Sequence, residues 1–361
     1  MKRLCSILLV LVALLFSNSA SFGETTMLAY GPPLVDPLCI AISPDGTTLF
    51  IADYCANNAI FRLPVTGGTP TIIASGPPFE NIRGIDISPD GSTLFVTDVG
   101  SVEGRGIVFS LPSIGGAPTI LASGPPLVSP HGIATSPDGS TLFIAENWFY
   151  AAGIFSLPAT GGEPILLAAV PPYTNYGRAI DICVSPDGNT LFVAGGFCIY
   201  SLPSTGGALS VIPCTTPLSY ATSIALSADG QTLFILDSGG IVSIGPTLIY
   251  SLPISGGTPT LVLSGPPLAA GGFMRLSHDG TKLYVADIGF VDCSSVGPLG
   301  EPGRVFVLSV VPSVIQPPIA DAGDDIVADA NEVVTLDGSG SSDPDGQIIK
   351  YTVSFRQGCM K

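Results

Sequence analysis

Short apolar segments separated by polar turns recur six times along the chain, each opening on nearly the same phrase. It reads SPDGTTLFIAD from Ser43, SPDGSTLFVTD from Ser88, SPDGSTLFIAE from Ser136, SPDGNTLFVAG from Ser185, SADGQTLFILD from Ser227 and SHDGTKLYVAD from Ser277. The spacings are 45, 48, 49, 42 and 50 residues. In the second repeat Ile82–Ser88 alternates as a strand does, and Thr93–Thr97 is a β-branched and aromatic run suited to a second strand. Pro89-Asp90-Gly91 between them is a tight turn: Pro presets φ, Asp bonds its local backbone, and Gly takes a positive φ. Gly106–Leu111 and Pro118–Ala122 read as strands three and four, joined by a turn with a Gly-Gly pair. A period of this size built from four short strands predicts an all-β fold, a β-propeller with one antiparallel blade per repeat.

The module of third strand, turn and fourth strand recurs as firmly, from Ile60, Val108, Ile154, Ile199 and Ile249. The sixth repeat has a third strand, Arg304–Ser309, but no Gly-Gly turn and no fourth strand. The missing piece stands at the other end of the chain, where TMLAYGPP from Thr26 matches the fourth-strand ending TIIASGPP from Thr71. Thr26–Tyr30 is therefore expected to complete blade six, giving a six-bladed ring over residues 24–310 with no open edge between first and last blade.

Outside the repeats the pattern changes. Lys2 and Arg3 precede an apolar run, Leu4–Phe16, which is followed by small residues up to Gly23. This has the form of a secretory signal over residues 1–23, its apolar run too short to span a bilayer comfortably. Export follows, to a secreted, periplasmic or cell-surface location, with no membrane span after cleavage. Residues 311–318 read as a linker containing Pro, and residues 319–361 form a tail of different composition.

Composition narrows the partners. Net charge is −16, which argues against nucleic acid and anionic lipid and is compatible with cation binding. Only 11% of residues are charged and 46% are hydrophobic, as strands buried on both faces require. Export permits disulfides, and the repeat register suggests Cys39 with Cys55 and Cys198 with Cys214.

The turn after strand a and the turn after strand c share one rim, which is repetitive and is expected to carry no chemistry. The loops entering strand a and leaving strand b share the other rim, and they vary. Function is expected where the repeats disagree. Acidic residues close strand b in five blades, Asp53, Asp98, Glu146, Asp237 and Asp287. They are either a ring of carboxylates for a cation such as Ca²⁺, with Asp98, Glu146, Asp237 and Asp287 the candidate ligands, or local acceptors that order their own loops. The positions entering strand a are Leu38, Arg83, His131, Ile180, Thr222 and Gly272. Arg83, His131, Glu146, Asn147, Trp148, Tyr173 and Arg178 form the most chemically mixed arc and are the candidate residues for a small anionic or sugar-like ligand. No catalytic motif is visible: a nucleophile elbow, a Ser/His/Asp set, a P-loop and a metalloprotease motif are all absent from the sequence.

The run PHGIATSPDGSTLFIAE at Pro130–Glu146 resembles the repeats of TolB-like, NHL and gluconolactonase/senescence-marker propellers, and the SPDG phrase also resembles the YVTN surface repeat. In the tail, Ala322-Gly323-Asp324, Val333–Ser342, Asp343-Pro-Asp-Gly and Tyr351–Phe355 resemble the front half of a polycystic-kidney-disease (PKD) domain, an immunoglobulin-like sandwich. The propeller resemblance implies a six-bladed ring. Its gluconolactonase branch implies lactone hydrolysis with a divalent cation held by Glu, Asn and Asp at the inner ends of strands a. The equivalent positions in this chain are the six above, and none is a carboxylate or amide. Its NHL and YVTN branches imply a binding platform. The resulting expectation is a monomeric, non-enzymatic scaffold that meets a protein, a glycan or a small molecule at the variable rim, with a cation-dependent lactonase as the alternative.

Overall fold

In the computed structural model the described residues are 8–11, 22–54, 58–100, 105–148, 151–171, 178–239, 247–264, 268, 271–288, 303–310 and 353–356. The regular elements among them are all β-strands. Six four-stranded antiparallel sheets form the blades. Their first strands, a, are Pro37–Ile42, Ile82–Ile87, Pro130–Thr135, Asp181–Val184, Ala221–Leu226 and Gly271–Leu276. Their second strands, b, are Thr48–Asp53, Thr93–Asp98, Thr141–Glu146, Thr190–Ala194, Thr232–Asp237 and Lys282–Asp287. In the second blade the third and fourth strands, c and d, are Ile107–Pro112 and Thr119–Ser123, each within a residue of its expected bounds.

Blade six takes its fourth strand from the N-terminal side of the chain. Phe22–Tyr30 pairs antiparallel with Arg304–Val310, Thr26 opposite Val307 and Tyr30 opposite Arg304. Each strand a touches the strand a of both neighbouring blades, round to blade six against blade one, so the six form a closed inner ring. Strands b are buried on both faces, Leu49 and Ile51 completely, whereas strands d expose one side as outer edges. Each fully buried aliphatic side chain of this kind contributes roughly 1.5–3 kcal/mol. Leu28 and Ala29 of the closing strand pack with Ile40, Ile51 and Phe61 of blade one and Tyr284 of blade six, so the closure joins two blades as well as finishing one.

The repeated turns also hold blade to blade. In the SPDG turn at Ser88, Gly91 has φ +73°, and a Cβ there would lie 3.1 Å from Pro44 Cδ of the preceding turn. The Pro that presets one turn is thus the surface on which the next turn's Gly sits. In the Gly-Gly turn, the Gly162 N–H donates to the Leu121 carbonyl of the preceding blade at 3.2 Å.

Phe22–Val311 forms one compact unit, and Met1–Ser21 with Pro312–Lys361 forms another. In the second unit Leu8–Leu11 pairs antiparallel with Val353–Arg356. Most of residues 1–23, all of residues 311–318 and most of residues 319–361, where a secretory signal, a linker and a PKD-like segment were expected, lie outside the described residues. No helix of the described residues is long and apolar enough to cross a membrane.

The cysteine pairing differs from expectation. Cys39, Cys183, Cys198 and Cys214 are free thiols. Cys39 Sγ instead faces the next blade and lies 3.9 Å from the Ile85 carbonyl, while Cys214 Sγ lies 3.7 Å from the Ile212 carbonyl. Cys55 lies outside the described residues.

Candidate functional site

At the variable rim the carboxylates that close strands b are engaged by backbone. Asp53 accepts from the Val35 and Asp36 N–H groups at 2.8 and 3.2 Å. Asp98 accepts from Glu80, Asn81 and Gly100 at 2.9, 2.9 and 2.7 Å. Glu146 accepts from Val128 and Ser129 at 3.1 and 2.6 Å, and Asp237 from Ser219 and Tyr220 at 2.7 and 2.8 Å. Each carboxylate therefore ties the loop entering its own blade to the end of strand b. Asp287 is likewise fully buried. Burial pushes Glu146 up to about 7 against the pull of its backbone donors. Among the described residues no three or more His, Cys, Asp or Glu side chains converge as a metal ion would need.

The basic members of the predicted arc do come together. Arg83 donates from Nη2 to the Tyr54 hydroxyl at 2.9 Å, and its Cζ lies 4.1 Å from the Tyr54 ring centroid. His131 Nδ1 lies 2.9 Å from the Ser129 carbonyl oxygen. A carbonyl can only accept, so Nδ1 carries the proton and Nε2 keeps its lone pair. Burial, and then the positive charge of Arg83 and Arg178, hold His131 down at about 3, so it is neutral at physiological pH. Arg178 Cζ lies 6.0 Å from the Tyr220 ring centroid.

Three basic side chains from blades two, three and four thus share one mouth. Their partners are aromatic rings, a phenol and a carbonyl. Arg83 Nε, Arg178 Nε, Asn81 Oδ1 and Asn147 Oδ1, all on loops or strand starts of the variable rim, are buried without a hydrogen-bond partner. Trp148 is half-buried next to Asn147. Tyr173 lies outside the described residues, as do Asn175 and Tyr176. The resemblance to gluconolactonases implied a divalent cation at the strand-a starts. The donor set here does not suit one, because Arg83 and His131 stand where carboxylates and amides would be needed.

Sequence reasoning passed over a second polar cluster inside the ring. Asp181 of blade four, completely buried, receives Arg275 of blade six through Nη1 at 2.9 Å and Nη2 at 3.2 Å. Ser223 Oγ of blade five donates to the same carboxylate at 2.6 Å, and the Ile224 N–H at 3.1 Å. Half of the signal was present in register, for Arg275 and not for Asp181. Two residues before the turn Ser, strand a carries Ala41, Asp86, Ala134, Cys183, Ala225 and Arg275, so two charges interrupt a small apolar series.

No protein-family model matches the sequence, and no curated protein does. Solved structures of the same fold are numerous. A gluconolactonase from Xanthomonas campestris is 13% identical with a TM-score of 0.60, over 86% of this chain and 95% of that one. A calcium-binding regucalcin from Agrobacterium tumefaciens is 17% identical with a TM-score of 0.58, over 80% and 94%. A TolB protein from Agrobacterium tumefaciens is 18% identical with a TM-score of 0.57, over 81% and 99%. At these identities the likeness establishes the six-bladed fold and leaves activity to the residues.

Proposed function

We propose that this chain is an exported, non-enzymatic binding scaffold whose variable-rim mouth takes a small anionic or polyhydroxylated ligand, free or displayed on a glycan or protein. The observation that carries this reading is the approach of Arg83 and Arg178 to His131, with the Nε of each arginine buried and unpartnered. Arg83 and Arg178 supply donors for a carboxylate or phosphate, neutral His131 supplies an acceptor at Nε2, and the Asn oxygens accept hydroxyl protons. Tyr54 and Tyr220 give flat apolar surface to a sugar-sized body. Neutral His131 adds no charge, so the positive charge offered to the ligand is that of the two guanidiniums, while the carboxylates closing strands b are turned to backbone donors.

Calorimetric titration with glucuronate, gluconate and glucose tests this. Glucuronate or gluconate should bind more tightly than glucose, and Arg83→Ala should weaken the acid by roughly tenfold or more, the usual scale of a hydrogen bond to a charged group. Equal affinity for glucose and glucuronate, or an unchanged Arg83→Ala variant, would overturn the reading. Similarity to a gluconolactonase and to a calcium-binding regucalcin supports a second reading, a cation-dependent lactonase. Turnover of gluconolactone that requires added Ca²⁺ would favour it.

A further inference from the structure

The opposite end of the ring holds a feature that the variable-rim reading does not use. A cavity of about 380 Å³ opens where the strands a of blades six, one, two and three run into their turns. Ile42, Ile87 and Leu276 supply its apolar wall, and Asp86, Thr135 and Arg275 supply the polar groups. Arg275 is held bidentate by buried Asp181, so its charge is already matched. Asp86 also feels the Arg275 charge without pairing to it, so two carboxylates, Asp181 and Asp86, stand against one guanidinium. The Asp86 Oδ2 accepts the Thr135 N–H at 2.6 Å. The Thr135 hydroxyl, beside that carboxylate and 8% exposed as a residue, makes no hydrogen bond of proper geometry.

The entrance is acidic. Asp45, Asp90, Asp138 and Asp279 each follow directly after a residue of the cavity lining, Pro44, Pro89, Pro137 and His278. Each accepts from the Ser two residues earlier at 2.5 to 2.6 Å and from a backbone N–H two residues later. These bonds keep the four ionised without neutralising them. These exposed carboxylates put negative charge beside the cavity lining, which draws positive solutes towards it, less so as salt is raised.

We propose that this cavity binds a small organic monocation, an ammonium or guanidinium on a short apolar body, with Asp86 as its charge partner and Thr135 Oγ1 as an acceptor. The volume equals the share of about a dozen liquid waters, which suits a ligand of comparable heavy-atom count. The apolar wall favours an organic body over a bare metal ion, and no three metal-ligating side chains converge among the described residues. Arg275, pinned by Asp181, closes the floor and sets the orientation of a ligand that must keep its cation away from the guanidinium.

Calorimetric titration of the full chain with benzylammonium, against benzyl alcohol and benzoate, tests the assignment. Benzylammonium should bind one to one and weaken as salt is raised. Asp86→Asn and the cavity-filling Leu276→Phe should each weaken it by at least about tenfold. Thr135→Val, which removes the hydroxyl beside Asp86 and keeps the side chain's shape, should weaken it severalfold with at most a small change in melting temperature. Arg83→Ala, at the other mouth, should have no effect. The proposal is overturned if benzyl alcohol or benzoate binds as well as benzylammonium, or if Thr135→Val and Leu276→Phe both leave the affinity unaltered. Absence of measurable binding at about 10 mM ligand overturns it as well.

Discussion

The two ends of the inner ring present opposite chemistries built from similar parts. At the variable rim Arg83 and Arg178 lean on Tyr54 and Tyr220, and their Nε atoms have no partner. At the SPDG end Arg275 is gripped by Asp181, with Ser223 and the Ile224 N–H completing the carboxylate's shell. The chain has only 12 Lys and Arg against 28 Asp and Glu, so the placement of three arginines at the ring is informative. An arginine answered by a buried carboxylate is spent on the fold. Arginines answered by aromatic rings keep their hydrogen-bonding capacity for a ligand. The pinned arginine leaves Asp86 and four turn aspartates to set the sign of its own end. Variation of the loops points to one mouth, and a break within the repeat itself, at Asp86 and Arg275, points to the other.

The sharpest way to break this contrast is to unpin the matched arginine. Arg275→Met leaves the completely buried Asp181 without its counter-charge and should destabilise the protein by about 3–5 kcal/mol in urea unfolding. The double variant Asp181→Asn with Arg275→Met should recover most of that loss. If the single and double variants unfold alike, the pair is not the structural lock described here. Next in size is the SPDG end's own scaffold. Gly91→Val forces a β-branched residue into φ +73° and drives its Cβ towards Pro44, which should lower stability by roughly 1–3 kcal/mol. An unchanged melting temperature would show that the turns do not brace one another.

These expectations show what the sequence could and could not carry. Blade number, strand order and ring closure were legible because they are repeated. A Gly at every turn and a fourth strand missing at one end and present at the other need no third dimension to be seen. Arg83 and His131 were legible as neighbours for the same reason, being at one register position in successive blades. Asp181 and Arg275 were not, because they lie 94 residues apart and sit at different register positions, and only closure of the ring brings blade four within reach of blade six. The cysteines failed differently. Flanking a turn placed Cys198 and Cys214 near each other, but proximity in register does not orient the Cβ vectors that a disulfide requires. The acidic residues closing strands b left two readings open, and their backbone donors favour the local one.

A smaller effect probes the open arginines at the variable rim. Tyr54→Leu removes both the ring beneath Arg83 and the hydroxyl it bonds. The loss of at least about 0.5–1 kcal/mol expected of a part-buried cation–π contact should weaken glucuronate two- to fivefold or more. Benzylammonium binding at the other end should stay as it was. A matching change at both ends would mean that the mouths are coupled through the ring.

A pH dependence, nearly cancelled in the parent protein, separates the groups within blade three. His131 has a folded value of about 3, below its ordinary 6.5, because burial and two guanidiniums oppose its charge. Between those values the unfolded chain binds a proton that the native chain refuses, so this contribution is complete above pH 6.5 and is lost as pH falls towards 3. Glu146 works in the opposite sense, its folded value of about 7 standing above the ordinary 4.5 because of burial. There the native chain holds the extra proton, so its contribution is present below pH 4.5 and is lost as pH rises through 7. From about pH 4.5 to 6.5 the two slopes oppose each other, and the parent protein should be nearly flat in urea midpoint. Glu146→Gln should expose the histidine slope, with stability rising towards neutral pH, and His131→Asn should expose the glutamate slope, with stability falling. At the other end Asp90, Asp138 and Asp279 are held at about 2 by their turn serines, so a further loss between roughly pH 4 and 2 should be common to all three proteins. Identical slopes in the two variants above pH 4.5 would remove His131 and Glu146 as the groups that distinguish this mouth.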